Sequence, residues 1–501
     1  MKRLIYYLLL CLPVAACDSF LDEVPTSRLT FDNFYREEKD IQAMTDGLHA
    51  LLRETFASPS VQLYRERAFI YDWVSDIWAH QVKNELRAAF IPTSAVIDWT
   101  NEYKVIAQAN MLIDHIGKAG LAVDRQRYYL GQAHVVRGIM TLYIAQMWGQ
   151  GPSPLDRSND GQPCVTGEEL ARIAADDFRK GTELLPPASA LKDNNGNAVT
   201  CKQYASRGTA WAFLAEAYAW LAGVYGHTEL LASGIAAADS VFLSGEYALC
   251  PTIGELTETG LHRDSPESVF EIAFTNLPGE ECLADYCMPF VVQKYPVERN
   301  ASPMTPRPYV RLSNEKAFRL FPDPADERRS LWFEDLDGMA LLDPSVNQGA
   351  AYVKKIRHPL YYESGFEAGE VRAYDNNIIV IRLGGLYLLQ AEMCLKAGDR
   401  NKAIAALNIV RGRAGAVLYS PSEDLARAIA LEVEKELFLE WGPTLYLSKV
   451  RNGTTNELPG NFATLTPADI ADGALFLPIG SGYFEDNALA RQNIYWSRNG
   501  F

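Results

Sequence analysis

Apolar residues recur at helical spacing along most of the chain, and the segments that carry them come in pairs. In residues 103–118 the apolar positions 105, 106, 109, 112, 113 and 116 share one helical face. A second helix is predicted over 126–148, where Gly149-Gln150-Gly151-Pro152 ends it. The pairing continues with 167–185 and 206–225, and then with 381–397 and 401–414 on either side of Gly398-Asp399. A last helix is predicted over 423–446, with Ser422 as its N-cap.

Small and bulky residues are interleaved in the segment 206–225. Alanines at 210, 212, 215, 217, 219 and 222 stand among Trp211, Phe213, Leu214, Tyr218 and Trp220. Small residues between bulky ones let two helices approach closely, as in tetratricopeptide hairpins. No strict repeat of about 34 residues is found. The pattern therefore predicts a mainly α fold built from irregular, tetratricopeptide-like helical hairpins.

Between roughly 250 and 380 the helical pattern gives way to a region rich in Pro, Gly and aromatic residues. It contains short strand-like runs, for example 268–274. A long irregular stretch in a compact protein is usually functional or disordered, and the aromatic content favours order. Binding surfaces tend to lie on loops held by a rigid frame. We therefore expect a large loop-rich region that binds ligand.

The N-terminus carries a secretory signal. Lys2 and Arg3 precede an apolar stretch at 4–14, which is shorter than the about 20 residues that cross a bilayer. The run Leu12-Pro13-Val14-Ala15-Ala16-Cys17 resembles the lipobox of bacterial lipoproteins. That resemblance implies removal of a signal peptide at 1–16 and lipid on the sulfur and amine of Cys17. The alternative is an ordinary cleaved signal with an incidental cysteine at the boundary.

Composition narrows the class of partner. Without residues 1–16 the chain has 485 residues, with 45 basic against 63 acidic side chains, a net charge of −18. Such a balance argues against nucleic acid, whose binding relies on basic side chains. Length alone allows two or three domains. No other apolar run approaches 18 residues, so lipid is the expected membrane attachment.

Six further cysteines permit up to three disulfides in an exported protein. Cys282 and Cys287 are close enough in a loop-like stretch to form a local bridge. Cys164 and Cys201 flank a predicted helix and form a second candidate pair. Cys394 lies on an apolar helical face and is interpreted as a buried free thiol. Spacing does not fix the connectivity, and none of these pairs resembles a metal site.

Catalytic motifs are missing from the sequence. The seven histidines are scattered, and neither His-Glu-x-x-His, Gly-x-Ser-x-Gly nor the phosphate-binding Gly-x-x-x-x-Gly-Lys-Ser/Thr occurs. A glycosidase needs two carboxylates across the scissile bond. Pairs such as Glu434 with Glu440, or Asp76 with Glu102, carry little information among 63 acidic residues. A non-catalytic protein is therefore expected.

Along nearly the whole chain, a series of motifs in the family's order resembles the SusD/RagB-like nutrient-binding outer-membrane lipoproteins. The start at 17–25 is similar to the family's Cys, aromatic-Leu-Asp and Pro, and the helix pair continuing to Gly415 and the closing segment also match. The residues that carry the match are Cys17, Phe20, Leu21, Asp22 and Pro25; Trp99, Tyr103, Ile106, Ala109, Asn110 and Ile113; Arg137, Tyr143, Trp148, Gly149 and Pro152; Arg382, Leu383, 387–392, Ala403, Ile404 and 407–415; and 477–479, Asn487, Gln492 and Asn493. Near 440 the chain departs from the family pattern, since it keeps Glu436, Leu437 and Glu440 but has Trp441, Pro443 and Tyr446 where Gly, Arg and Asp are expected.

The resemblance implies a lipid-anchored receptor, surface-exposed on the outer membrane, that captures glycans or oligopeptides for a SusC-like TonB-dependent transporter. It implies an N-terminal helical region at 17–250 and a C-terminal region at 251–501 that form one globular unit. It implies no enzyme activity and no cofactor; some relatives hold calcium, so a bound ion stays open. The alternatives are a helical scaffold that binds only protein and a secreted glycoside hydrolase.

Two clusters are candidate ligand contacts. Sugar capture needs flat apolar faces beside polar groups, and the stretch at 71–81 offers Trp78 and His80, with Trp73 as a weaker choice. The family resemblance places ligand loops here and around Tyr295, Arg299, Arg307 and Tyr309. Core packing of the tryptophans and an ordinary polar loop are the alternatives. The run 326–329 resembles a family Asp-x-Arg element, for which an internal ion pair is expected.

Overall fold

The computed structural model describes residues 35–57, 97–157, 161–277, 280–283, 294–305, 312–440, 444–457, 462, 464–485 and 487–500. Residues 1–16, the predicted signal peptide, and Cys17 lie outside these ranges. The longer helices within them are α1 Glu38–Ala57, α2 Thr100–His115, α3 Val123–Met147, α4 Gly167–Leu184, α5 Arg207–Val224, α6 Leu231–Leu243, α7 Leu383–Lys396, α8 Arg400–Arg413, α9 Leu425–Glu436 and α10 Thr444–Asn452. The mainly α fold expected from the sequence is confirmed.

Most of the described strands, together with a series of short helices, lie between α6 and α7, and two short strands lie between α3 and α4. The described strands are β1 Gln150–Gly151, β2 Val165–Thr166, β3 Ser268–Ile272, β4 Cys282–Leu283, β5 Pro359–Tyr361, β6 Val371–Tyr374 and β7 Ile378–Arg382. Antiparallel pairs join β1 with β2 and β3 with β7, while β6 lies between β4 and β5. Short helical segments lie at Ile253–Glu255, Leu256–Gly260, Lys294–Val297, Asn314–Leu320, Glu327–Trp332, Leu336–Ala340 and Pro344–Asn347.

Helices that follow one another in the chain pack against each other. Each of α2 to α6 packs against the next, and α7 continues the series by packing on both α6 and α8. Side chains cap the starts of α4 and α5: Thr166 accepts a hydrogen bond from the Glu169 N–H at 3.2 Å, and Ser206 forms a capping box with Thr209. A helical layer therefore runs from the N-terminal part of the chain into its C-terminal part.

Glycines allow α3 and α4 to approach closely. A Cβ on Gly181 would lie 2.5 Å from Val135 Cγ2 and 3.0 Å from Ala210 Cβ, and one on Gly138 would lie 2.7 Å from Phe178 Cε1. These separations are shorter than carbon contacts allow. Small residues are thus required at the positions of Gly138 and Gly181.

Replacing Gly181 with Ala should lower the free energy of unfolding by about 1–3 kcal/mol, because the added methyl overpacks the α3–α4–α5 contact. Urea denaturation measures the loss. Gly117→Ala is the matched control, since a Cβ added at Gly117 would have no atom within 4 Å. Equal stability of the two variants would contradict the packing described.

The residues that carry the N-terminal resemblance tie this layer together. Arg137 donates to Asp177 at 2.7 and 2.8 Å and to the Asn110 side-chain oxygen at 2.7 Å. Asn110 donates in turn to the Pro154 carbonyl at 2.9 Å, and Tyr103 donates to the Pro152 carbonyl at 2.7 Å. These motif side chains therefore hold the segment after α3 against α2 and α3.

Three predictions at the C-terminal end were wrong. The helix expected over 423–446 is two helices, α9 and α10, and Leu439 between them has a φ of +55°. Asp424, not Ser422, caps α9 by accepting from the Arg427 N–H at 2.7 Å. The helix expected from 381 begins at Leu383, because the preceding residues belong to β7, which pairs with β3.

The cysteines follow the predictions in part. Cys394 is a buried free thiol, as expected. The candidate pair Cys164 and Cys201 is not formed, since both are free thiols. Cys282 is disulfide-bonded, and Cys287, its candidate partner, lies outside the described residues. Among the helices that the structure describes, none is long and apolar enough to span a bilayer.

Candidate functional site

Of the candidate ligand residues, the structure describes Tyr295 and Arg299. Trp73, Trp78, His80, Arg307 and Tyr309 lie outside the described residues. Tyr295 and Arg299 belong to the segment 294–305, which lies against the loop of the β5–β6 hairpin. We call the segment 294–305 together with the hairpin 359–374 the loop platform.

Hydrogen bonds fasten the two parts of the loop platform to each other. The Arg299 N–H donates to the Gly369 carbonyl at 3.1 Å, and the Asn300 side chain donates to the Ala368 carbonyl at 2.9 Å. From the hairpin, the Tyr361 hydroxyl donates to the Val297 carbonyl at 2.9 Å. The two segments therefore form one surface, although they are about 60 residues apart in sequence.

Aromatic rings are spread across this surface. The guanidinium of Arg299 lies 4.0 Å from the centre of the Tyr361 ring, a cation–π contact. Tyr295 packs edge-on against the buried Tyr352, with ring centres 5.1 Å apart. Tyr362 is exposed. The two predicted residues are thus brought together with tyrosines that the sequence analysis did not single out.

Phe366 lies in the loop of the hairpin and is fully exposed to solvent. The flanking Gly365 and Gly369 have φ of +88° and +90°, values that favour glycine, and they close the turn that carries Phe366. Backbone bonds from the Tyr362 N–H to Glu370 at 3.0 Å and from the Gly369 N–H to Tyr362 at 2.9 Å hold the loop shut. A large apolar ring is therefore held in water on an ordered turn.

The loop platform also carries charges of both signs. Arg299 pairs with Glu363 at 3.3 Å, and both side chains are more than half exposed. Lys294 lies 3.4 Å from Glu298 and 3.4 Å from Glu370. Burial raises the pKa of Glu298, an effect that the nearby Lys294 opposes. Exposed rings beside hydrogen-bonding side chains give the combination that sugar recognition needs.

Two stacked histidines lie at the base of the hairpin. The rings of His262 and His358 are 4.0 Å apart and tilted by 28°. His358, directly before β5, has a φ of +66° and shares a 2.8 Å hydrogen bond with the Glu258 carbonyl through Nε2. Its carbonyl accepts from the Asp375 N–H at 2.9 Å. The base of the hairpin is thus anchored to the segment 258–262.

A separate cavity of about 130 Å³ lies between α3, α5, β7 and the C-terminal helices. Its walls are mostly apolar, and its polar groups are paired with one another. Arg451 contacts Glu216 at 2.7 Å and Glu392 at 3.0 Å, and Gln146 donates to Glu216 at 3.1 Å. Burial raises the pKa of Glu216, an effect that Arg451 opposes. Because its polar groups are already satisfied, the cavity offers a sugar little hydrogen bonding.

The run 326–329 forms the internal ion pair expected of it. Asp326 and Arg328 are fully buried and contact each other at 2.8 Å. Arg328 continues to Glu432 at 2.7 Å and to Glu436 at 3.2 Å. This element therefore belongs to a buried network and not to a binding surface.

Metal binding finds no support in the part of the chain that the structure describes. No group of three or more His, Cys, Asp and Glu side chains there is arranged to hold an ion.

Phe366, Tyr361 and Tyr362 were missed in the sequence analysis. A sequence pattern that could have identified them is present in 361–369, where two adjacent tyrosines precede a phenylalanine that lies between two glycines.

Comparison with known proteins finds sequence similarity to one family model and to a SusD-like protein. A family model described as the SusD family matches residues 341–443. SusD-like protein P25 of Formosa agariphila is 22% identical over 162 residues, which is 30% of this chain and 31% of that protein. The match therefore spans about a third of the relative's length.

Solved structures resemble the fold over almost its whole length. A SusD homologue from Bacteroides thetaiotaomicron superposes with a TM-score of 0.75 at 22% identity, covering 92% of this chain and 99% of that one. NanU of Bacteroides fragilis superposes with a TM-score of 0.70 at 19% identity, covering 94% and 99%. The family-model match over residues 341–443, the SusD-like relative and the shared fold together support the resemblance of this chain to the SusD/RagB-like family.

Proposed function

We propose that this protein is a lipid-anchored outer-membrane receptor that captures glycans and delivers them to a SusC-like TonB-dependent transporter. The resemblance to this family supports nutrient binding. The lipobox-like run before Cys17 supports export and anchoring. The helical hairpins supply a rigid frame, and the loop platform supplies the binding surface.

The observation that carries this proposal is the full exposure of Phe366 on an ordered turn. A phenylalanine ring in water is unfavourable by about 1.5–3 kcal/mol relative to burial. Stacking of a sugar ring would cover that surface. Tyr362 and the cation–π pair of Arg299 with Tyr361 extend the aromatic surface beside it. Binding would proceed without turnover, in line with the missing catalytic motifs.

Phe366→Ala should weaken binding of any captured glycan about tenfold or more, because a stacking face is lost while the fold is kept. Titration calorimetry against a panel of glycans and oligopeptides measures the change. Leu243→Ala is the control, since Leu243 is 85% exposed at the end of α6 on the helical layer. Unchanged affinity in Phe366→Ala would place the ligand elsewhere. Binding of peptides alone would replace glycans as the substrate class.

The transporter partnership needs its own experiment. The lipidated protein, extracted from outer membranes in mild detergent, should co-purify with a TonB-dependent barrel. A Cys17→Ala variant, which cannot be lipidated at that position, should lose its membrane fraction. Recovery of other protein partners without a barrel, together with no binding to the panel, would favour the alternative of a helical scaffold. Turnover of a panel glycan would favour the hydrolase.

A further inference from the structure

The charged side chains in the segment around Phe366 are all acidic. Residues 361–371 include Glu363, Glu367 and Glu370 but no Lys or Arg. Glu367 is the next residue after Phe366 and is exposed. Within the described part of the chain it has no ion-pair partner. A ring that stacks on Phe366 would therefore lie beside the residue that carries this unpaired carboxylate.

The two other carboxylates differ from Glu367 in their surroundings. Glu363 is held by Arg299 at 3.3 Å, and Glu370 shares Lys294 with Glu298. Those cations belong to the segment 294–305, which lies against the loop, and each is paired with its carboxylate. At physiological ionic strength, salt largely screens the interaction between exposed charges that are more than about 8 Å apart. Among the three carboxylates, Glu367 is thus the one without an ion-pair partner in the described residues, and residues 361–371 as a whole are acidic.

We infer that Glu367 sets the charge preference of the loop platform, which favours glycans bearing amino groups, accepts neutral ones and disfavours those bearing carboxylates or sulfates. This rests on the proposed function, because it assumes that Phe366 stacks on a sugar. A protonated amine on the ligand would pair with Glu367, whereas a ligand carboxylate would be repelled by it. An exposed pair of this kind changes affinity only about two- to fivefold. The preference is consequently a graded one.

A matched ligand series tests the inference. The probes are hexamers of β-1,4-linked glucosamine, its N-acetylated form and α-1,4-linked galacturonate, titrated in mildly acidic buffer in which the amines are protonated. The wild type should bind the amino form about two- to fivefold more tightly than the acetylated form and should bind the uronate most weakly. The amino preference should shrink as salt is raised.

Two variants separate the charge effect from other causes. Glu367→Gln keeps the size of the side chain and should bring the amino and acetylated forms to nearly equal affinity. Glu183→Gln removes an exposed carboxylate from α4 and should leave the series unchanged. Phe366→Ala should weaken every member that binds.

The outcomes distinguish the inference from the proposal beneath it. Affinities that are equal across the series, or highest for the uronate, while still lost in Phe366→Ala, would overturn the inference and leave glycan capture in place. Binding that is insensitive to Phe366→Ala, or absent for the series and for the wider glycan panel, would overturn both. An amino preference that persists in Glu367→Gln would overturn the role of Glu367.

Discussion

Arg382→Met should lower the free energy of unfolding by about 3–5 kcal/mol, the largest effect expected of a single change in this protein. Arg382 is buried at the start of α7, where it contacts Glu267 at 2.8 Å, Glu436 at 2.6 Å and Glu440 at 2.6 Å. Removing its charge leaves these buried carboxylates short of a partner. Such a loss costs far more than a broken surface pair, because water cannot reach the remaining charges.

The surrounding network explains why the loss cannot be repaired locally. Arg328 and Arg413 also contact Glu436, and together with Arg382 they hold the pKa of its carboxyl far below its usual range against the opposing effect of burial. Lys355 pairs with Glu440 at 2.6 Å and donates to the Phe438 carbonyl at 2.7 Å. Each of these cations thus already binds a carboxylate or a carbonyl, so none is free to replace Arg382.

Chemical denaturation of the purified protein measures the effect of Arg382→Met. Arg179→Met is the control, since Arg179 pairs with Asp176 at 2.8 Å on an exposed face of α4. That variant should stay within about 0.5 kcal/mol of wild type. A loss below about 1 kcal/mol in Arg382→Met would show that the network is not the buried assembly described.

His49 should make the protein less stable in acid. It is buried on α1, and burial lowers its pKa to about 4, while its contact with Gln132 at 3.2 Å opposes the shift. In the unfolded chain the pKa is about 6.5. Between that pH and about 4, His49 is protonated in the unfolded state but not in the folded state. Stability attributable to His49 is therefore complete above pH 6.5 and falls by about 3 kcal/mol as the pH approaches 4.

A pair of histidine variants isolates this contribution. His49→Gln keeps a donor for Gln132 but removes the titration, so its free energy of unfolding should fall less steeply between about pH 6.5 and 4. His227→Gln, at a partly exposed position beside Glu168, should keep the steep fall. The measurement is urea denaturation across that pH range. Parallel curves for wild type and His49→Gln would contradict the burial of this ring.

Sequence periodicity predicted the helical layer well because its signals are local. The apolar face of α2, the capping residue Ser206 and the glycine stop after α3 all act within a few residues of the elements they define. The break between α9 and α10 was missed for the opposite reason. The carbonyls of Glu436 and Phe438 are bound by Lys355, about 80 residues earlier, so the turn depends on tertiary contacts.

The proposed binding surface was predicted only in outline. Tyr295 and Arg299, the two candidate ligand contacts that the structure describes, both lie in the segment 294–305 that packs on Tyr361, and their contact with ligand stays a prediction. Phe366 was not singled out, because one ring in a polar, glycine-framed loop leaves no periodic pattern. Its exposure depends on how the hairpin closes, which the sequence does not show directly.

Hydrogen exchange with and without a saturating glycan tests most directly whether the loop platform captures the ligand. For whichever panel glycan binds, amides in 294–305 and 359–374 should exchange more slowly in the complex, and the helical layer from α2 to α6 should be unchanged. Protection confined to that helical layer, or protection that survives unaltered in Phe366→Ala, would contradict capture at the loop platform.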